Sequence, residues 1–145
     1  MKLIPIAKGG KISKNIPSSD YTNSICDSME KLYEKKGFNP PWIGYFLVKE
    51  NRVVGTCAFK SKPFQGKVEI AYFTFPEYEG KGYGSKMVLS LIEIALKTNP
   101  SIRIIAQTLP EKNASTHILR KLEFVYHGEY FHPEDGKIWK WEYKK

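Results

Sequence analysis

The sequence predicts an α/β (α+β) fold: one central mixed, mostly antiparallel sheet of about seven strands flanked by helices, in the order β-α-β-β-β-α-β-α-β-β. Three observations carry this. Three β-rich runs follow one another between Trp42 and Phe75 with only turns between them. Two stretches, 19–36 and 85–97, carry apolar residues at helical spacing. A glycine-bearing turn joins the third β-rich run to the second of these stretches. A length of 145 residues, with no repeat and no linker-like segment, predicts a single domain over residues 1–145.

Each element has its own signal. Lys2-Leu3-Ile4-Pro5-Ile6 predicts a short edge strand, because Pro5 cannot donate to a ladder. Ser18 or Ser19 then caps a helix reaching Lys36, on which Tyr21, Ile25, Met29 and Leu32 recur at helical spacing, and Gly37 stops it. Residues 42–49 and 53–59 form a hairpin through Glu50-Asn51-Arg52. Residues 67–75 form the third strand, with Val68, Ile70, Tyr72 and Thr74 on one side and Glu69, Ala71, Phe73 and Phe75 on the other. Pro76 ends it. Met87, Leu89, Leu91, Ile92, Ile94, Ala95 and Leu96 mark a largely buried helix to about Lys97. After Asn99-Pro100 come a strand at 102–108, a short helix at 114–122 with Ile118, Leu119 and Leu122 inward, and strands at 124–131 and 137–143. The aromatic residues Trp42, Tyr45, Phe46, Tyr126, Tyr130, Phe131, Trp139 and Trp141 alternate along strands, a core pattern that leaves some free to line a pocket.

Composition excludes several classes. An apolar fraction of 41% with 26% charged residues is that of a folded soluble domain. The start is too short in its apolar run for a secretory leader, and nothing is long enough to span a membrane. Cys26 and Cys57 have neither disulfide-framework nor zinc spacing, so both are expected to be buried in a cytoplasmic protein. His117, His127 and His132 show no metal spacing, and no metal site is expected. The net charge is +8. Residues 1–72 carry 12 Lys/Arg against 6 Asp/Glu, and residues 73–145 carry 11 against 9, so the excess lies away from the glycine turn. No run of adjacent basic residues exceeds two, which argues for a solvated face rather than a nucleic-acid surface.

The chemistry is concentrated at Glu79-Gly80-Lys81-Gly82-Tyr83-Gly84. A strand that stops at such a turn and becomes a helix gathers backbone N–H groups around one small volume. Glycines admit positive φ and leave room for an anion, and the helix dipole adds attraction. Lys81 and Lys86 add positive charge, and a pyrophosphate is the natural guest. A P-loop would need glycine, lysine and Ser/Thr in an order that Gly82-Tyr83-Gly84-Ser85-Lys86 lacks. A dinucleotide turn would open a βαβ unit with an acid about 20 residues on, where this chain has Asn99-Pro100-Ser101. A strand-to-helix turn without any ligand is the plain alternative.

With their flanks, these residues resemble the GNAT family of N-acetyltransferases, whose signature is Gln/Arg-x-x-Gly-x-Gly/Ala. Val68-Glu69-Ile70-Ala71-Tyr72 and Pro76-Glu77-Tyr78 resemble that family's flanking residues. Asn113-Ala114-Ser115 through Lys121-Leu122-Glu123-Phe124 is similar to its later Asn-x-x-Ser…Lys-Leu-Gly-Phe segment, and the likeness is to the RimJ/RimL-like branch. The resemblance implies an enzyme that transfers the acetyl group of acetyl-CoA, its cosubstrate, to a primary amine by direct attack in a ternary complex. The acceptor would be a protein N-terminus or a small-molecule amine, and the enzyme a monomer or homodimer. A polyamine or aminoglycoside would require a carboxylate-lined pocket, for which Glu69, Glu134 and Asp135 are the visible residues. The resemblance further implies that the backbone of Phe73, Thr74 and Phe75 meets the thioester and pantetheine. Gly80, Lys81, Gly82, Tyr83, Gly84, Ser85 and Asn113 would then hold the rest of the cofactor.

Departures from the family pattern are specific. Glu79 stands at the head of the turn, Asn113 lies one residue later than the spacing, and Glu123 replaces a glycine. Leu119 occupies the place of the tyrosine that many members use to protonate the thiolate, so Ser115 is the remaining hydroxyl, or the step needs no enzyme acid. Glu69, in an apolar and aromatic run, is the candidate general base, acting directly or through water. A glutamate in a cross-strand pair with a lysine is the alternative reading of that residue. For the whole chain, the alternative is a non-catalytic acyl-CoA-binding module.

Overall fold

A computed structural model describes residues 1–145 apart from Lys11, residues 13–15, Ser18 and Lys145. The elements are β1 (Lys2–Pro5), α1 (Asp20–Lys36), β2 (Gly44–Lys49), β3 (Arg52–Phe59), β4 (Lys67–Thr74), a 3₁₀ turn (Pro76–Tyr78), α2 (Tyr83–Thr98), β5 (Arg103–Thr108), α3 (Ala114–Lys121), β6 (Phe124–His132) and β7 (Gly136–Tyr143). The predicted order and fold class are observed, with the 3₁₀ turn added. The strands form one sheet in the order β1-β2-β3-β4-β5-β7-β6. Only β4 and β5 run parallel. Pro5 does lie on an edge strand.

Local chemistry explains the boundaries. Between β2 and β3, Lys49 pairs with Arg52, and both Glu50 (φ 50°) and Asn51 (φ 63°) are left-handed. A two-residue hairpin loop of this hand matches the twist of its strands. Ser19 is the cap of α1: its side chain accepts from the Thr22 N–H at 3.2 Å, and Thr22 Oγ1 accepts from the Ser19 N–H at 2.8 Å. Ser18 lies outside the described residues. Of the expected row on α1, Met29 is buried and Ile25 and Leu32 are half-buried against the core, whereas Tyr21 is exposed; Thr22 and Tyr33 are the other buried residues of the helix. Tyr33 takes the central place because its hydroxyl is satisfied, donating to the Ile6 carbonyl at 2.7 Å and accepting from the Gly44 N–H at 3.0 Å. Tyr21 stays outside, its ring stacked 4.9 Å from that of Phe75.

The helices take opposite faces. A Cβ on Gly44 would meet Met29 of α1 at 2.7 Å, and one on Gly55 would meet Met87 of α2 at 3.0 Å. Residues of β4 therefore alternate between the α1 side (Ala71, Phe73) and the α2 side (Ile70, Tyr72). A Cβ on Gly84 would come within 2.6 Å of Ile118, so that glycine lets α2 and α3 pack together. The core between the layers holds Phe46, Leu47, Phe59, Leu91, Ile104 and Trp141 among others. The alternating aromatics are not all core: Tyr126, Tyr130 and Phe131 on β6 are exposed, Phe131 at 76%. β6 is an edge strand, so alternation there does not mean burial on both faces. Both cysteines are free; Cys57 is buried, whereas Cys26 is only half-buried.

Candidate active site

β4 is where the sheet opens. Phe75 donates its N–H to the Val54 carbonyl at 3.0 Å, and the Lys60 N–H reaches the Glu69 carbonyl at 2.9 Å. Backbone groups alternate in direction along an antiparallel strand, so Glu69, Ala71, Phe73 and Phe75 turn theirs to β3. Val68, Ile70, Tyr72 and Thr74 turn theirs to β5. The parallel register with β5 ends at Ile70 opposite Ala106, which leaves the N–H and C=O of Tyr72 and Thr74 facing no strand. The expectation of exposed donors at Phe73, Thr74 and Phe75 is thus corrected by one step of alternation. Thr74 remains, Tyr72 enters, and the Phe75 N–H is spent on the sheet.

The strand leads into the glycine turn. Gly80 (φ 76°) and Gly82 (φ 84°) have positive φ, and a Cβ on either would meet nothing within 4 Å, so the turn is open where a ligand would lie. Gly82 begins α2 without any side-chain cap, whereas α1 and α3 each carry a complete capping box. The first N–H groups of a helix have no partner within it. In α2, the Lys86 N–H is the one that closes back on Gly82, at 3.1 Å, so those of Tyr83, Gly84 and Ser85 are left without a helical carbonyl. No acidic residue sits in that first turn.

These elements enclose a cleft of about 760 Å³ between β4, the turn and α3. Phe73, Thr74, Gly80, Gly82, Tyr83 and Gly84 line it, and so do Ser85 and Ser115. Glu79 also lines it but is an exposed residue. Sequence reasoning missed Tyr72, Tyr78, His117 and Lys121, which line the cleft too. His117 and Lys121 are four apart on α3, a helical spacing that would have found them had that face been known to meet the turn. Tyr72 donates its hydroxyl to the Ser115 carbonyl at 3.2 Å. Burial pushes its pKa up to about 12, with the Ser115 hydrogen bond opposing, so the phenol stays protonated.

Other expected residues lie elsewhere. Lys81 and Phe75 do not line the cleft. Asn113 caps α3, its Oδ1 accepting from the Thr116 N–H at 3.1 Å and its amide donating to Glu111 at 3.2 Å, and it faces a separate small depression. That cap relieves Ser115 of the capping duty a helix-start serine often has. Leu119 is fully buried. Glu69 projects from β4 on the α1 side, away from the cleft, with Lys60 Nζ 2.8 Å from its Oε2 and Gln107 Nε2 3.4 Å from its Oε1. The cross-strand lysine pair foreseen as the alternative for this residue is therefore present. Glu134 and Asp135 sit between β6 and β7, their N–H groups on His132 Nδ1. Among the described residues no cluster of His, Cys, Asp and Glu could hold a metal ion, and no helix is long and apolar enough to cross a membrane.

Comparison with known proteins agrees with this geometry. An uncharacterised N-acetyltransferase, YnaD of Bacillus subtilis, is 27% identical over 111 residues, covering 77% of this chain and 64% of the relative, so the chain spans just under two-thirds of that relative's length. RimL, a ribosomal L7/L12 alpha-N-protein acetyltransferase in complex with coenzyme A, shares the fold with a TM-score of 0.65 and 16% identity over 87% of this chain and 72% of that one. A variant of the spermidine N-acetyltransferase SpeG from Vibrio cholerae does so with a TM-score of 0.64 and 16% identity over 81% and 74%. Residues 12–125 match the family described as the acetyltransferase (GNAT) domain. That match takes in the opened strand, the uncapped glycine turn and α3 together, and the chain belongs to the GNAT family.

Proposed function

We propose that this chain, acting as one domain over residues 1–145, is an N-acetyltransferase that uses acetyl-CoA and a primary amine in a ternary complex. The observation that carries the reading is the conjunction of two sets of free backbone donors on one cleft. The uncapped start of α2 suits a pyrophosphate, and the unpaired edge of β4 suits the pantetheine and thioester that follow it. Gly80, Gly82, Tyr83, Gly84 and Ser85 cradle the phosphates, with Lys81 and Lys121 supplying charge at longer range. Asn113, as the cap of α3, serves the stability of that helix rather than the hold on the cofactor. Free thiols at Cys26 and Cys57 suit the cytoplasm.

The chemistry follows from which face each group occupies. The amine lone pair attacks the acetyl carbon, a C–N bond forms, and the C–S bond breaks to release CoA thiolate. The Tyr72 N–H receives the charge that develops on the carbonyl oxygen. Glu69, on the α1 face, takes the proton the amine gives up, through water. Tyr72 Oη, whose proton rests on the Ser115 carbonyl, turns that proton to the departing sulfur as the C–S bond breaks, and so fills the function that Leu119 cannot. Phe73 covers the thioester from the α1 side.

The test is release of free CoA thiol from acetyl-CoA with a panel of amines, alongside calorimetry of acetyl-CoA binding. Binding with amine-dependent thiol release is expected. Tight binding without release on any amine would instead identify a non-catalytic acyl-CoA-binding module, the reading favoured by the Lys60 pairing of Glu69.

A further inference from the structure

The opening of β4 carries a cavity on each face of the sheet, and the two differ in chemistry. Opposite the cofactor cleft, α1 crosses β3 and β4 and leaves a groove of about 240 Å³. Ile25 and Met29 of α1, Thr56 and Ala58 of β3, and Ala71 and Phe73 of β4 line it. Tyr72 and Phe73 line both cavities, so the groove begins where a thioester held on the β4 edge would end.

Its size and lining select a ligand. Pockets for drug-sized molecules begin at roughly 300 Å³, so this groove holds about one side chain. The hydroxyls of Ser28 and Thr56 are its hydrogen-bonding side chains, since those of Tyr72 and Cys57 take the α2 face, and Thr56 already donates to the Tyr45 carbonyl at 2.8 Å. No carboxylate lines it. Glu69 lies on the same face of β4 but is held by Lys60, and Glu134 and Asp135 are in the β6–β7 turn. A polyamine loses water from several ammonium groups on binding and needs an acid for each, which this groove lacks. An apolar side chain meets the opposite case. Phe73 is 46% exposed and Ser28 is exposed, so the mouth is open and a longer chain can trail out of it.

We infer that the acceptor is the α-amine of a peptide whose first side chain is apolar and occupies this groove. The inference rests on the acetyl-transfer reading and deepens it. The peptide's nitrogen replaces sulfur on the acetyl carbon; its surplus proton leaves through water to Glu69, and the product is an N-acetylated peptide plus CoA.

The experiment measures thiol release with acetyl-CoA and four acceptors: a Leu-first pentapeptide, the same peptide beginning with Asp, isobutylamine, and spermidine. The Leu-first peptide is expected to exceed the Asp-first peptide and spermidine in kcat/KM by about tenfold or more, the scale of discrimination an apolar contact gives. Ala58→Asp should erase that preference while acetyl-CoA affinity by calorimetry is unchanged. Ile25→Ser, at a half-buried helix position, gives a second reading should Ala58→Asp fold poorly. Preference for spermidine or for the Asp-first peptide, or a Leu preference that survives both substitutions, overturns the inference while leaving acetyl transfer standing. Isobutylamine matching the peptide overturns the peptide source. Acetyl-CoA bound with no release on any acceptor removes the acetyl-transfer reading itself, and this inference with it.

Discussion

Tyr72 shows how far one residue can be read from its neighbours in the chain. Its place in an alternating run says which face it takes, but its role depends on α3 arriving 43 positions later to accept its hydroxyl. Nothing local announces that. With the phenol held protonated by burial, Tyr72→Phe removes a donor while keeping the ring. It is expected to lower kcat by about ten- to a hundredfold, with acetyl-CoA affinity by calorimetry unaltered. An unchanged kcat would return the proton to solvent. Glu69 poses the converse problem, because its sequence supported two roles and the structure displays one of them, the Lys60 pair. Glu69→Gln separates them: loss of the base should cut kcat/KM by about 10²- to 10⁴-fold. Lys60→Ala removes only the pair and should leave most activity. Equal, small losses in both variants would make Glu69 purely structural.

Elements were more legible than residues, since periodicity and punctuation are local. Hairpin, glycine turn and all three helices lie close to where their spacing puts them, and the boundary differences are a residue or two at frayed ends. What local pattern could not give was the pairing between elements. The end of the β4–β5 register decides which β4 amides are free, and Asn113 became a cap because Thr116 completes a box with it. The uncapped α2 and the capped α3 make opposite predictions. Gly82→Asp puts a carboxylate and a strained positive φ at the open helix start, and should abolish measurable acetyl-CoA binding. Asn113→Ala should cost about 1 kcal/mol of unfolding free energy in urea titrations and leave cofactor affinity intact. If binding survived Gly82→Asp, the phosphate site would have to lie elsewhere.

For the molecule as a whole, seven strands and their chain order were readable, but not the insertion of β7 between β5 and β6. That arrangement is a non-local choice, and its polar signature is the bidentate pair in which Arg103 of β5 donates to Glu142 of β7 at 2.8 and 2.6 Å. The pair ties the terminal hairpin to the half of the sheet that carries the site. Hydrogen bonding from Arg103 holds the Glu142 carboxyl below the usual glutamate range, against partial desolvation, with further help from the Arg103, His127 and Lys67 charges. A carboxyl depressed in the folded state contributes stability above its unfolded value, about 4.3, and loses it as pH falls through the lower folded value. The stability gap between the wild type and Glu142→Gln should therefore be constant near neutral pH and close as the medium is acidified below about pH 4. Added salt should narrow it at any pH, because the arginine is solvent-exposed. Urea unfolding of both proteins from pH 7 to pH 3 measures this directly; a gap that stayed flat on acidification would mean that the β5–β7 junction is held by Trp141 and its apolar neighbours alone.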